Sequence, residues 1–248
     1  METVICMENI KKRYKHGDRL VLNGLNLKVH AGDIYGFLGP NGAGKSTTIK
    51  LLSGLISNDE GIITLLGKNI LEHREQLKRK IGIVPQDIAI YPSLTAFENL
   101  KFFGGIYGIH QTHLKKRIAY LLHLFGLEEH RNRKVEHYSG GMKRRINLIV
   151  GLLHEPKLLL LDEPTVGIDV QSKNVIIENL KMLNRQGTAI LYTSHDMNEA
   201  EQLCNKVGII DEGKIIIEGT PKELITQFSE TTNLESVYLK LTGKKIRD

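Results

Sequence analysis

Strand-length apolar runs alternate with helical spacing along most of the chain. Thr3–Met7 and Leu25–Val29 alternate in polarity and predict half-buried strands. Ile34–Leu38, Lys157–Leu161 and Ala189–Thr193 are nearly continuous apolar runs, the pattern of parallel strands covered on both faces. Gly44–Gly54, Ser172–Arg185 and Asp196–Leu203 predict helices, the last with Asp196 in its first turn, where the macrodipole favours an anion. Val207–Asp211 and Ile215–Glu218 flank Glu212-Gly213-Lys214 and predict a hairpin.

The middle of the chain differs. From Thr95 to Leu153 the apolar spacing is mainly helical: Phe97, Leu100 and Phe103–Gly104, then Leu114–Phe125, then Met142–Leu153. This predicts an α/β core, about 1–86 and 157–228, interrupted by a helical subdomain at about 87–156. Beyond it, 229–248 form an expected helical extension. There Leu234, Val237, Tyr238 and Leu241 make an i, i+3, i+4, i+7 stripe that must bury itself against the core, a second copy or a partner.

Composition narrows the classes. The 248 residues are 41% hydrophobic and 25% charged, ordinary for a globular chain. Only Cys6 and Cys204 are present, which excludes a disulfide scaffold and predicts reduced, structural thiols. No apolar stretch approaches the ~18 residues of a helical span, and the N-terminus has no signal-peptide core, so a cytoplasmic chain is expected. The 34 Lys and Arg against 28 Asp and Glu give +6. The basic groups Lys11–Arg13, Lys143–Arg145 and Lys244–Arg247 are scattered, so they read as solvated surface charge and no nucleic-acid partner is expected.

The candidate chemistry begins at Gly39-Pro40-Asn41-Gly42-Ala43-Gly44-Lys45-Ser46, between a strand-like and a helix-like run. Glycines let successive N–H groups curl around phosphate oxygens, and the following helix, which continues with Thr47, points its positive end at them. Lys45 adds a mobile cation and Ser46 a hydroxyl for Mg²⁺. A second element, Leu158–Leu161 followed by Asp162-Glu163, is an apolar strand delivering two carboxylates at its end, where α/β folds bind ligands. Asp162 suits the Mg²⁺ shell and Glu163 suits polarising the attacking water.

Four further features stand in a fixed order. Gln86 follows the strand-like Ile81–Val84; Tyr138-Ser139-Gly140-Gly141-Met142 precedes a helix-like run; Val166-Gly167-Ile168-Asp169 follows the carboxylates; His195 follows Ala189–Thr193. Together with the phosphate loop, these resemble the ATP-binding cassette (ABC) transporter ATPases over about residues 3–228. The resemblance implies a RecA-like P-loop NTPase core with an antiparallel β-subdomain and a helical signature subdomain. It implies that Gln86 touches the metal and the membrane partner, and that Ser139, Gly140, Gly141 and Met142 act in trans on the nucleotide of a facing copy. Asp169 would belong to the D-loop, His195 would contact the γ-phosphate, and Tyr14 would stack on adenine. Ser-Gly-Gly at a helix-like N-terminus can bind an anion; taken alone it reads more often as a loop before a helix, and the resemblance reverses that.

Two departures stand out. Met142 replaces the signature's usual glutamine and Val166 replaces a common D-loop serine. Within the family, the Tyr-Ser-Gly-Gly-Met-Lys-Arg-Arg run and the Leu234–Arg247 tail resemble the drug- and antibiotic-export branch. The expected function is therefore ATP binding and hydrolysis, with Mg²⁺, by a subunit peripheral to the cytoplasmic face of the membrane. It would pair with a second nucleotide-binding subunit, identical or different, and drive a separate permease. The rivals are a soluble ABC ATPase acting on ribosomes or nucleic acid, which usually carries two cassettes or a coiled-coil insert, and a nucleotide-binding regulator without turnover. The ten histidines show no convincing zinc spacing. Phe97, Phe102 and Phe103 read as helix core, although Tyr91–Phe103 also suits a permease docking surface.

Overall fold

The computed structural model describes residues 2–15, 19–228 and 231–243, so the basic group Lys244–Arg247 lies outside the described residues. Residues up to Lys78 form β1 (Thr3–Arg13), β2 (Leu20–His30), β3 (Ile34–Leu38), α1 (Lys45–Leu52), β4 (Glu60–Leu65), β5 (Lys68–Asn69) and α2 (Arg74–Lys78). There follow β6 (Ile81–Val84), α3 (Ala96–Ile106), α4 (Gln111–Leu124), α5 (Gly140–Leu152), β7 (Leu158–Asp162) and α6 (Val170–Arg185). The chain ends with β8 (Ala189–Ser194), α7 (Met197–Leu203), β9 (Lys206–Asp211), β10 (Lys214–Gly219), α8 (Pro221–Gln227) and α9 (Leu234–Thr242). It divides into two compact units, Met1–Lys78 with Ala189–Asp248, and Arg79–Thr188. No helix among the described residues is long and apolar enough to cross a membrane.

In the first unit an antiparallel sheet has the order β2-β1-β4-β5. The first two strands run well past the predicted Thr3–Met7 and Leu25–Val29. Asn9 takes a left-handed φ of 51° and Gly24 one of 77°. The β1–β2 register slips on both sides of Ile10. These bulges break the period-two alternation, so the sequence pattern stops where the strands do not. Beside this sheet's strands, β3 is buried throughout and pairs in parallel with both β8 and β9. Strand β10 returns antiparallel on β9 through Glu212-Gly213, whose φ values of 47° and 76° suit a two-residue hairpin turn.

Helix α7 begins one residue later than its predicted start. Asp196 is the N-cap and not a first-turn residue; its carboxylate accepts from the Glu199 N–H at 3.0 Å. Asn233 caps α9 in the same way, accepting from the Ser236 N–H at 2.8 Å. This helix packs on α7 and α8 of its own unit. Leu234, Val237 and Tyr238 are buried, but Leu241 is 37% exposed and drops out of the predicted stripe.

In the second unit β6 and β7 pair in parallel, Ile81 opposite Leu158 through Val84 opposite Leu161. Helix α5 packs on β6 at small residues: a Cβ on Gly151 would lie 2.8 Å from Val84 Cγ2, and one on Gly82 would overlap the Gly151 carbonyl. That close packing draws β6 and β7 into one compact unit with the helical segment. The buried positions of α3 are Ala96, Asn99, Leu100 and Gly104. Phe97, Phe102 and Phe103 lie off this stripe, which corrects their reading as helix core. Phe97 lies under the Arg131 guanidinium at 4.8 Å. Phe102 packs edge-on against Tyr91 with centroids 5.2 Å apart, and both rings are largely exposed.

Two buried polar groups give measurable consequences. The Asn99 amide accepts from the Tyr91 N–H at 2.8 Å and donates to the Tyr91 and Thr95 carbonyls at 3.0 Å, locking the turn before α3. Asn99→Leu leaves these groups buried without partners and should cost about 2–4 kcal/mol. Chemical denaturation checks this; a loss well below that range means water replaces the amide.

His154 stacks on Tyr107 with centroids 4.0 Å apart, and its Nε2 lies 3.1 Å from the Ile81 carbonyl, so Nε2 carries the proton. Its Nδ1 is buried with no hydrogen-bond partner among the described residues. Burial holds its pKa below the ordinary 6.5. The unfolded chain therefore takes up this proton first, so stability from neutral His154 is present above the unfolded value and lost as pH falls through the folded one. His154→Gln should flatten the fall in unfolding free energy between about pH 7 and about pH 5. Parallel curves for the two proteins would remove His154 from the account.

Candidate functional site

The candidate residues fall into two groups, one in each unit. In the first unit the buried strand β3 delivers Gly39, whose N–H donates to the Ser194 carbonyl at 3.3 Å. The chain then curls, with Gly42 at φ 83° and Gly44 at φ 114°, conformations that suit glycine. It enters α1 at Lys45 with no side-chain cap and no acid in the first turn. The helix thus presents uncapped N–H groups and its positive end to whatever lies in the loop.

Lys45 is buried, and its ammonium donates to the Gly39 carbonyl at 2.7 Å and the Pro40 carbonyl at 3.2 Å. Ser46 follows in the first turn of α1. Thr47 Oγ1 lies 3.3 Å from the hydroxyl of Tyr14, which is 40% exposed. Asn41 and Gly42 are exposed, while Ala43 is buried.

Strand β8 lies beside β3 with Leu38 opposite Ser194. Gly39 and His195 therefore leave the carboxyl ends of adjacent parallel strands, the edge where open α/β sheets bind ligands. The Asp196 N–H donates to Ser194 Oγ at 2.9 Å, tightening the strand-to-helix turn that carries His195.

The second unit repeats this logic with carboxylates. Strand β7 is buried along its whole length and ends in Asp162, followed by Glu163. Both carboxylates are buried, and Glu163 takes a left-handed φ of 46°. A non-glycine residue in that region is strained, and such strain collects at working sites. Val84 of β6 stands opposite Leu161, so Gln86 and the two acids emerge from the same edge of neighbouring parallel strands.

Helix α5 holds the Gln86 loop. The Asn147 amide accepts from the Ala89 N–H at 3.1 Å and donates to the Pro85 carbonyl at 3.3 Å. Arg144 donates to the Gln86 carbonyl. Burial lowers the Arg144 guanidinium's pKa, and the nearby Asp87 and Glu163 carboxylates pull it back up. Sequence reading passed over both residues. Asn147 was visible as a polar interruption of the apolar run Ile146–Leu153. Arg144 sat in a basic triplet taken for surface charge, and Arg145 also turns inward, donating to the Phe125 carbonyl at 2.8 Å.

At the start of α5, Ser139 is the N-cap and accepts from the Met142 N–H at 3.2 Å. Ser139 and Gly140 are exposed and Met142 is half-buried. A Cβ on Gly141 would lie 3.2 Å from Asp169 Oδ2 and 2.6 Å from the Ser172 Cβ. Only glycine lets α5 approach the cap of α6 this closely. Asp169 itself accepts from the Ser172 N–H at 2.8 Å, and that bond holds its carboxylate pKa below the ordinary value.

Similarity to known proteins follows the same outline. Residues 22–166 match the family described as ABC transporter. The linearmycin resistance ATP-binding protein LnrL of Bacillus subtilis is 50% identical over 228 residues, which cover 92% of this chain and 73% of that protein. The Nod factor export ATP-binding protein I of Cupriavidus pinatubonensis is 43% identical over 225 residues, 91% of this chain and 69% of that protein. Among solved structures, the ATP-binding subunit of an ABC transporter superposes with a TM-score of 0.86 at 29% identity, covering 96% of this chain and 99% of that one. A dimeric ATP-binding cassette in a post-hydrolysis state bound to ADP and Pi gives 0.78 at 26% identity, covering 87% of this chain and 98% of that one. A phosphate-loop architecture, carboxylates at a strand end and kinship of this extent have one explanation: the chain belongs to the ABC transporter family and is its ATP-binding, ATP-hydrolysing subunit.

Proposed function

We propose that this subunit powers an exporter, with each residue of the two groups in the role its chemistry suits. The observation that carries the reading is α1, which starts at Lys45 without a cap or an acid and follows a buried strand through a left-handed glycine turn. That is a receptor for phosphates. Gly39 through Thr47 supply N–H groups and hydroxyls to the nucleotide, Lys45 shifts from loop carbonyls to phosphate oxygens, and Tyr14 offers its exposed ring to adenine.

Ser46, Gln86 and Asp162 offer a hydroxyl, an amide carbonyl and a carboxylate, an all-oxygen set that fits Mg²⁺. When bound, that ion neutralises charge developing on the phosphates. Glu163 orients and deprotonates the attacking water, and His195 steadies the γ-phosphate. Ser139 to Met142 of a second subunit complete the site, with Asp169 and Ser172 packed close against Gly141.

The exporting role and the permease partner rest on relatives named for linearmycin resistance and Nod factor export. The cluster of exposed Tyr91 and Phe102 with half-buried Phe103, an aromatic surface beside the Gln86 loop, suits a docking permease at the membrane's cytoplasmic face.

Binding and chemistry should separate by mutation. One Lys–phosphate pair at ~4 Å and an effective dielectric near 20 is worth about 4 kcal/mol before compensation. Lys45→Ala should weaken ATP binding and abolish turnover, whereas Glu163→Gln should bind ATP and lose most hydrolysis in a phosphate-release assay. Wild-type turnover by Glu163→Gln would remove Glu163 as the base.

The composite site has its own test. A Lys45→Ala chain mixed with a Ser139→Ala, Gly141→Asp chain should form dimers with one doubly damaged and one intact site. ATPase activity in the mixture above both parents supports action in trans; full activity of the signature variant alone overturns it.

A further inference from the structure

The phosphate loop rests on a hairpin that none of the motif residues belongs to. Gly213, in the β9–β10 turn, donates its N–H to the Ala43 carbonyl at 3.1 Å and accepts from the Asn23 N–H at 3.2 Å. Both backbone groups of one residue thereby tie the loop to β2. Gly213 has a φ of 76°, and a Cβ there would overlap the Val21 carbonyl and lie 2.9 Å from Leu22 Cα. The loop meets the same support twice more. A Cβ on Gly39 would overlap the Ile210 carbonyl, and one on Gly44 would lie 2.6 Å from Leu22 Cδ2 and 3.5 Å from Ile210 Cδ1.

The direction of the Gly213 bond matters. In a planar trans peptide the carbonyl of one residue and the N–H of the next point opposite ways. Holding the Ala43 carbonyl against the hairpin therefore aims the Gly44 N–H away from the hairpin. Donors that stabilise phosphate charge act only when they are fixed in advance.

We propose that Gly213 is a positioning residue for the phosphate loop: through the Ala43 carbonyl it sets the peptide that presents the Gly44 N–H to nucleotide phosphate. The inference rests on the reading of this loop as the ATP site.

The test needs a control with equal strain and no tie to the loop. Gly61 provides it, with a φ of 90° and a Cβ position that would overlap the Glu8 carbonyl, between β1 and β4. Gly213→Ala and Gly61→Ala should lower the melting temperature comparably. Only Gly213→Ala should raise the KM for ATP, and the Kd for ADP by titration, roughly tenfold, with kcat falling much less. Equal KM changes in the two variants, or an unchanged KM in a folded Gly213→Ala protein, overturn the proposal.

If Gly213→Ala does not fold, Ile210→Val removes the methyl under Gly44, and Ile209→Val serves as its equally buried neighbour. A KM increase of about two- to threefold confined to Ile210→Val supports the same support surface, and matched effects overturn it. Failure of the wild-type chain to bind ADP would instead sink the reading of the loop itself, so the two failures are distinct.

Discussion

A parallel strand buried on both faces loses its ladder partners abruptly at its carboxyl end, and the freed backbone groups must be satisfied locally or offered to a ligand. The candidate site in each unit is a set of answers to that constraint. After β3 the chain curls through Gly42 and Gly44 and starts α1 with no cap, leaving donors for phosphate. After β8 the Ser194 hydroxyl and the Asp196 carboxylate close the turn that carries the half-buried His195. After β7 the strain is taken at Glu163 itself, and after β6 the loop is tied down from outside by Asn147. Uncapped, self-capped, strained and clamped endings thus give a donor cradle, a half-buried imidazole, a buried carboxylate and a held Gln86 loop.

Helix α5 connects several of these answers. Its first turn is the signature, its Arg144 and Asn147 grip the Gln86 loop, and its Gly151 seats it on β6. A buried amide such as Asn147 is costly unless paired, and here both of its functions are used on one loop. The first turns of α5 and the Gln86 loop are therefore linked by hydrogen bonds and not only by apolar packing.

Much of this was legible in the sequence because the relevant residues announce themselves through backbone chemistry. The apolar runs Ile34–Leu38, Lys157–Leu161 and Ala189–Thr193 are strands within one residue at either end, since full burial needs no period to be kept. The Gly-rich loop, the Asp162-Glu163 pair and the Ser139 cap were equally readable. What escaped depends on tertiary partners. Bulges at Asn9 and Gly24 shift the face of β1 and β2 without any hydrophobic mark. Arg144 and Arg145 look like surface charge until carbonyls of Gln86 and Phe125 are placed before them. The α3 aromatics follow a helical spacing, yet the buried stripe is set by Asn99 and Gly104 instead.

The substitution of Met142 for glutamine bears on what the signature end still offers. Ser139 Oγ accepts the Met142 N–H, and a hydroxyl that accepts through a lone pair keeps its own hydrogen for donation. The cap therefore organises the first turn of α5 without consuming the donor that an anion needs. The N–H groups of Gly140 and Gly141 belong to the same first turn, where no intrahelical acceptor exists for them. The hydroxyl cap, the two glycines and the helix N-terminus are present whatever side chain stands at 142. The cap bond uses the backbone N–H of Met142 and so does not depend on the side chain there, whereas a side chain at Gly141 is excluded because Ser172 and Asp169 already occupy that space.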